Sequence, residues 1–406
     1  MALILLFSER LATFRTRKGI DAMRHQNSVF HTVLKHVPWH VFDRLVDAHG
    51  ADARVRRLSM RDQFIALLYG QLAGAQSLRE IEAGLASHAH RLYHLGARTA
   101  ARSTLADANA TRPNEVFGAL FAHLVAQAGR GLRRKIGEAV HLVDSTGLRL
   151  SELSAEWARF SDGVCGAKLH IVFDPDAERP IDAAVTPARL NDITAAQALP
   201  IAAGATYVFD LGYYDFAWWA RLDDAGCRIV TRFKSNTRLT VVAENPVSED
   251  GPILSDRIGY LPARLAASRV NPFRAPVREI RLRIESGKIL RILSNDIDAT
   301  ADDIAALYKR RWQVELFFRW IKQTLKIKHF LGTSENAVRI QVAVALIAFL
   351  LLRLAYAAQT AVDGLLAFTR LVRANLMHRR PIDRLLDPPP PIAQDQRQLI
   401  LTLCQP

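Results

Sequence analysis

Cysteine is scarce in this sequence, with three in 406 residues: Cys165, Cys227 and Cys404. They lie far apart, and none stands in a C-x2-C pair or at the Cys and His spacing of a zinc site. The sequence therefore predicts neither a structural zinc site nor a disulfide framework. This cysteine usage fits a reducing cytoplasm.

Long uninterrupted apolar runs are also lacking. The stretch VAVALIAFLLLRLAYAA (342–358) is interrupted by Arg353 and is too short to span a bilayer, so it predicts a buried helix and no membrane partner. The apolar start MALILLFSERLATF is too short for a signal peptide, and no basic segment precedes it. We hypothesise that translation begins at Met23, because MRHQNSVFHTVLKHVPW is typical of a domain start.

Basic residues, by contrast, are in excess. Lys and Arg number 54 against 40 Asp and Glu, which gives a formal net charge of +14 and a pI near 10.1. An excess of this size favours a polyanionic partner, nucleic acid before an anionic membrane. Because 50% of the 406 residues are hydrophobic, we expect a globular protein of two or three domains.

The spacing of apolar residues divides the chain into helical and β-like parts. From about 28 to 130 it has a period of three to four, which predicts a helical N-terminal domain. Three β-like runs, a helical segment and a fourth run follow, at 141–150, 168–174, 181–187, from 192 and at 206–210. This is the opening order of a ribonuclease H-like mixed sheet in an α/β fold. Further strand-like runs between 234 and 295 predict a β-rich insertion.

Two acids stand where apolar runs end. Asp144 follows HLV and Asp210 follows YVF. A strand that ends in an acid places the carboxylate at the carboxyl edge of the sheet, where open α/β sheets hold ligands. Taken singly, each acid could instead be structural, Asp144 as a turn or cap residue and Asp210 as a helix cap.

A third acid lies in the segment LYKRRWQVELFFRWIKQTLKIK (307–328). As one continuous helix, the segment would carry on one face Tyr308, Arg311, Glu315, Arg319, Lys322 and Lys326. Three converging carboxylates would suit Mg²⁺ or Mn²⁺, and the cations could bind phosphates beside the metal. The alternative is a solvated basic face with one incidental Arg311–Glu315 pair.

Two further groups of polar residues have more than one interpretation. Lys168 and His170 share one face of a predicted strand, where they could contact phosphate or form a satisfied structural pair. Asp192, which follows Asn191, is expected to be a helix N-cap.

Tyr308, Arg311, Glu315 and Lys322 fit Y-x2-R-x3-E-x6-K without a gap. This pattern resembles the signature of the DDE transposases of bacterial insertion sequences, specifically the IS-four family. Other segments resemble blocks of that family in order and spacing: RDQFIALLYGQLAGAQSLREIE, RSTLADANATR, VDSTGLRL, CGAKLHIVFD, VFDLGYYDFAWWARL, VTRFKSN and HFLGTSENAVRIQ. The resemblance covers about residues 24 to 350.

The resemblance implies a ribonuclease H-like core with Asp144, Asp210 and Glu315 as the catalytic and metal-binding triad. It implies Mg²⁺ (or Mn²⁺) as cofactor and two-metal phosphoryl transfer, which cleaves at the terminal inverted repeats and joins the 3′-hydroxyl ends to target DNA. The residues expected to contact DNA are Tyr308, Arg311, Lys322 and, on the same predicted face, Arg319 and Lys326. We expect a dimer on DNA, in a bacterial cytoplasm and associated with the nucleoid.

The expected division of the chain is as follows: 1–23, an extended or non-native start; 24–134, a helical DNA-binding domain; 135–233, the first part of the core; 234–295, the β-strand insertion; 296–355, the second part of the core; 356–406, a helical tail. Two other functions stay open. One is a nuclease of the same fold that cleaves without joining. The other is a DNA-binding regulator derived from a transposase, which the intact acids disfavour.

Overall fold

The computed structural model describes residues 27–53, 55–129, 139–266, 269–327 and 329–386. The hypothesised start at Met23 and the expected domain boundary between 134 and 135 lie outside the described residues, as does the tail beyond residue 386.

The helices of the described residues are α1 Val29–Leu34, α2 Trp39–Ala48, α3 Met60–Ala73, α4 Leu78–Ser87, α5 Ala89–Leu92, α6 Arg102–Thr111, α7 Glu115–Gly129, α8 Ala155–Ala158, α9 Asp192–Ala198, α10 Phe216–Asp224, α11 Ala301–Arg310, α12 Trp312–Thr324, α13 Glu335–Ala357 and α14 Leu365–Ala374.

The N-terminal region is helical, as the apolar spacing predicts. Helix α3 begins with a capping box, in which the Ser59 hydroxyl accepts from the Asp62 N–H and the Asp62 carboxylate accepts from the Ser59 N–H. It ends at Gly74, whose φ of 78° is the left-handed conformation of a helix C-cap. Helices α3, α6 and α7 pack against α13, so the N-terminal helices share one hydrophobic core with α12 and α13, while a second core that contains Phe209 and Trp219 does not include them.

Helix α13 is the one helix of the described residues that is long and apolar enough to cross a membrane by length and composition. In the structure 72% of its most apolar window is buried inside the protein. Its partners are the N-terminal helices, and Ile340, Ile347 and Leu351 are fully buried. The interruption at Arg353 therefore lies in a core helix, as predicted.

The strands are β1 Val140–Leu150, β2 Arg159–Ser161, β3 Val164–Asp174, β4 Arg179–Pro187, β5 Thr206–Phe209, β6 Arg228–Arg232, β7 Thr240–Asn245, β8 Ile253–Tyr260, β9 Arg264–Ala266, β10 Arg269–Val270, β11 Val277–Arg283 and β12 Ile289–Ser294. Five of them form a mixed sheet in the order β4-β3-β1-β5-β6. Strands β1, β5 and β6 are parallel, and β3 is antiparallel to both of its long neighbours. The predicted α/β fold with a ribonuclease H-like mixed sheet is therefore confirmed.

Four of the strands between residues 234 and 295 extend this same sheet, whereas β9 and β10 pair with each other in a separate two-stranded sheet. Strand β12 pairs antiparallel with β6, placing Ile292 opposite Arg232, and β11, β8 and β7 follow in order. The β-rich insertion is thus continuous with the core. Within the part of the chain that the structure describes, the result is one sheet of ten strands.

Candidate active site

Asp144 and Asp210 lie where the parallel pairing of β1 and β5 stops. The last paired residues are Val143 and Phe209, so each acid is the first residue beyond the shared ladder. Strand β1 itself continues to Leu150 because its antiparallel pairing with β3 continues. The expectation that a strand ends at Asp144 is therefore wrong, although the acid does lie at the carboxyl edge that β1 and β5 share.

The segment that carries Glu315 is two helices rather than one. Helix α11 ends at Arg310 and α12 begins at Trp312. At the break the Arg311 N–H donates to the Tyr308 carbonyl at 3.1 Å and the Val314 N–H donates to the Arg311 carbonyl at 3.2 Å, both three residues back. The prediction of one continuous helix is therefore corrected, because a tightened turn at Arg311 separates the two helices.

Arg311 connects two of the three acids. Its Nη1 donates to Asp144 Oδ2 at 3.1 Å, and its Nη2 donates to Glu315 Oε1 at 2.5 Å. An open cleft of about 420 Å³ contains these groups, and its walls are Asp144, Ser145, Thr146, Asp210, Arg311, Glu315, Phe318, Arg319 and Lys322. The structure therefore brings the three predicted acids and three of the predicted cations to one cleft.

The electrostatics of the cleft are set by burial and by like charge. Burial first, and then the neighbouring carboxylates of Asp210 and Glu315, raise the pKa of Asp144, while the Ser145 N–H and Arg311 lower it; the net pKa is about 6. The ionised form of Asp144 is therefore unfavourable unless a nearby cation compensates its charge. This is the condition under which a carboxylate gains most from binding a positive ion.

Two predicted DNA contacts lie outside the cleft walls. Tyr308 is 9% exposed, its ring lies 6.0 Å from the Arg311 guanidinium carbon, and burial raises its pKa. Lys326 follows the end of α12 with a φ of 52°, and its Nζ lies 3.4 Å from the Gly74 carbonyl oxygen. Its predicted place on the helix face is wrong because α12 ends at Thr324, and Lys326 has a left-handed backbone that does not continue a right-handed helix.

The chain also matches a known protein family. Residues 136–351, just over half of the chain, match the family "Transposase DDE domain". The chain belongs to the DDE transposase family. Residues 25–98 of this transposase match a domain of unknown function, DUF4372.

Its relatives carry names of the same kind. A protein of Sinorhizobium fredii named as a transposase, y4zB, is 40% identical over 70% of this chain and 80% of its own length. A protein of Geobacillus stearothermophilus, named as a transposase for insertion sequence element IS5377, is 29% identical over 67% of this chain and 72% of its own length. The chain is thus an insertion-sequence DDE transposase, an enzyme.

Among solved structures, the chain is similar to a piggyBac transposase synaptic complex with hairpin DNA. The identity is 13%, the TM-score is 0.45, and the match covers 94% of this chain and 86% of that one. At this TM-score the likeness says nothing further about this transposase.

The donor chemistry of the cleft fits the divalent metal that the DDE family implies. All three acids offer the carboxylate oxygens that Mg²⁺ and Mn²⁺ prefer. Within the described residues, however, no three acidic, His or Cys side chains are close enough to hold one metal. The Arg311 guanidinium lies between Asp144 and Glu315 and supplies a positive charge there.

Two hydrogen bonds between polar residues beside the acids were not predicted from the sequence. The Lys322 Nζ donates to the Thr146 hydroxyl at 2.6 Å, and the Ser145 hydroxyl donates to Asp192 Oδ1 at 2.9 Å. Asp192 is the first residue of α9, whose N-cap is Asn191, so its predicted capping role is corrected. The sequence feature that came closest to indicating the Asp192 contacts was the pair Lys168 and His170 on β3, because Lys168 pairs with Asp192.

Proposed function

We propose that this transposase binds the terminal inverted repeats of its element, cleaves DNA at the element ends and transfers the 3′-hydroxyl ends to target DNA. The observation that carries the proposal is the single cleft in which three acids from three separate segments lie beside basic side chains. Phosphoryl transfer needs both kinds of group, acids to hold metal and cations to hold the phosphate backbone.

In this proposal Asp144, Asp210 and Glu315 are the catalytic residues and would hold Mg²⁺ or Mn²⁺. Two bound ions would activate the attacking oxygen and stabilise the leaving oxygen of an in-line displacement. Because Arg311 forms ion pairs with Asp144 and Glu315, we expect a metal to compete with it for these carboxylates. When metal is bound to these acids, Arg311 needs another partner. A DNA phosphate is chemically suited to that role.

The cations of the cleft would bind the DNA backbone beside the cut. Arg311 and Arg319 can each offer a planar fork to a phosphate, whereas Lys322 offers a point charge. Arg319 is exposed on the wall of the cleft. Buried Tyr308 would hold Arg311 in place rather than reach DNA itself.

The remaining parts of the proposal concern the N-terminal helices and the assembly. We assign the recognition of inverted repeats to the helical N-terminal domain, whose Arg56 and Arg57 are exposed. A dimer on DNA would place one cleft at each element end. We place this activity in the cytoplasm, on nucleoid DNA.

An assay of end cleavage and strand transfer tests the proposal. The purified protein is incubated with Mg²⁺, labelled DNA that carries an element end, and a supercoiled target plasmid. We expect cleaved ends and a product in which the labelled 3′ end is joined to the plasmid. Cleaved ends without joined product would favour the nuclease, and binding without cleavage would favour the regulator.

Arg311→Ala is expected to weaken binding to end DNA and to lower the slope of log K against log salt by about one, because one phosphate contact is lost. Binding is measured at several salt concentrations with a fixed concentration of Ca²⁺, because Arg311 is released from Asp144 and Glu315 only when a cation occupies these acids. An unchanged slope would argue against a phosphate contact.

Arg310 provides the matched control for this measurement. It is the neighbouring arginine, but its guanidinium pairs with Asp176 and is not part of the cleft wall. Arg310→Ala is expected to leave the salt slope closer to that of the wild type. Equal effects of the two substitutions would show that general charge, rather than the position of Arg311, determines binding.

A further inference from the structure

We propose that Asp192 is a positioning residue for the metal site, and that it acts through Ser145 to fix the carboxylate of Asp144. The inference rests on the proposed role of Asp144 as a metal ligand. Asp192 does not itself touch the reacting atoms. It lies behind the strand that carries Asp144.

Ser145 links the two acids across the sheet. Its backbone N–H donates to Asp144 Oδ1 at 2.7 Å, and its hydroxyl donates to Asp192 Oδ1 at 2.9 Å. Successive side chains of a strand point to opposite faces, so Asp144 faces α12 while Ser145 faces α9. Asp192 therefore holds the backbone position from which Asp144 receives its hydrogen bond.

Asp192 is itself held from a second strand. The Lys168 Nζ lies 3.0 Å from Asp192 Oδ1 and donates to the Leu190 carbonyl at 3.0 Å, which ties the start of α9 to β3. His170 lies directly opposite Ser145 in the β1–β3 ladder, and its buried Nδ1 is 3.9 Å from the same carboxylate oxygen. Three polar groups thus converge on one oxygen of Asp192.

The other oxygen of Asp192 lies near Gly212, two residues after the second acid. Gly212 donates its N–H to Asp210 Oδ1 at 2.8 Å. A Cβ at Gly212 would lie 3.0 Å from Asp210 Oδ1 and 3.3 Å from Asp192 Oδ2, so this glycine lets the two acids approach one backbone position. Asp192 is therefore next to the segments of two proposed metal ligands. Groups in this position around metal sites orient the ligands, and their loss costs about 10- to 100-fold in metal affinity.

The test measures Mn²⁺ binding without DNA, from the free Mn²⁺ signal in electron paramagnetic resonance. We expect Asp192→Asn and Ser145→Ala each to weaken Mn²⁺ binding by about tenfold. The double variant should be no weaker than the worse single variant, because both changes break one link. Ser145→Thr keeps the hydroxyl and should restore most of the affinity. Thermal unfolding without metal shows whether each variant is folded.

Two controls make the outcomes distinguishable. Asp182→Asn removes a partly buried acid of β4 whose carboxylate accepts from the Ala183 N–H, and it should bind Mn²⁺ as the wild type does. Asp144→Asn should bind Mn²⁺ poorly. If it binds normally, the proposed metal site is wrong. The positioning role of Asp192 is wrong if Asp144→Asn loses Mn²⁺ binding while the folded variants Asp192→Asn and Ser145→Ala keep it. It is also wrong if the losses in affinity of these two variants add in the double variant.

Discussion

End cleavage is expected to fall by more than about 100-fold when Asp144 or Asp210 is replaced by Asn, or Glu315 by Gln. Direct metal ligands should matter more than the groups around them, whose loss costs about 10- to 100-fold in metal affinity or activity. An amide keeps the size of the side chain but removes the charge that holds a hard cation. End binding should change little, because the phosphate-binding cations are kept. Cleavage and end binding are measured on the same labelled DNA with Mg²⁺ and without metal, respectively.

Glu178→Gln is the control for these three substitutions. Glu178 pairs with Arg353, its side chain is 69% exposed, and it lies outside the cleft wall. We expect wild-type cleavage from this variant. Full cleavage by any variant of the triad would rule out that residue as a catalytic acid, and a parallel loss of end binding would point to a folding defect instead.

Local patterns in the sequence predicted the position of the first two acids well. HLVD and YVFD each combine an apolar run with a final acid, and parallel neighbours bring such acids to the same edge. The β-like run predicted at 141–150 includes the extension of β1 beyond Asp144, but the apolar run that ends in Asp144 does not reveal it. It depends on pairing with β3, whose Cys165 lies opposite Leu150, and such a partner is not encoded in the strand itself.

Tertiary contacts also explain the errors on the third segment. The periodicity of three and four predicted Arg311, Glu315 and Lys322 on one face, and all three do line the cleft. It did not predict the break at Arg311 or the end of α12 before Lys326, because the apolar spacing continues through both points and Leu325 and Ile327 are buried past the end of the helix. Asp192 was missed for a similar reason, since its partners Ser145 and Lys168 are far away in sequence.

Asp256→Ala is expected to lower the free energy of unfolding by about 3–5 kcal/mol, because it leaves a buried guanidinium without its counter-ion. The side chains of Asp256 and Arg278 are 3% and 6% exposed, and they form two hydrogen bonds, of 2.7 Å and 2.5 Å. Hydrogen bonding to Asp256 also raises the pKa of Arg278, which therefore stays charged. Denaturant unfolding of the purified protein measures the change, and a loss below about 1 kcal/mol would contradict it.

The exposed pair Glu244–Arg257 in the neighbouring strands is the control for Asp256→Ala. Its side chains are 61% and 33% exposed, so Glu244→Ala should cost about 0–1 kcal/mol. A second comparison uses an apolar pair, Asp256→Leu with Arg278→Met, which we expect to recover most of the stability because no charge is left buried.

The apolar pair also separates stability from activity. Arg278 donates through Nη1 to the carbonyls of Ile297 and Ala299, directly before the N-cap of α11. It therefore ties the β-rich insertion to the start of the segment that leads to Arg311 and Glu315. A Met at this position cannot make these bonds. We expect the double variant to be stable yet to cleave end DNA more slowly than the wild type, and wild-type cleavage would show that this connection does not position the cleft.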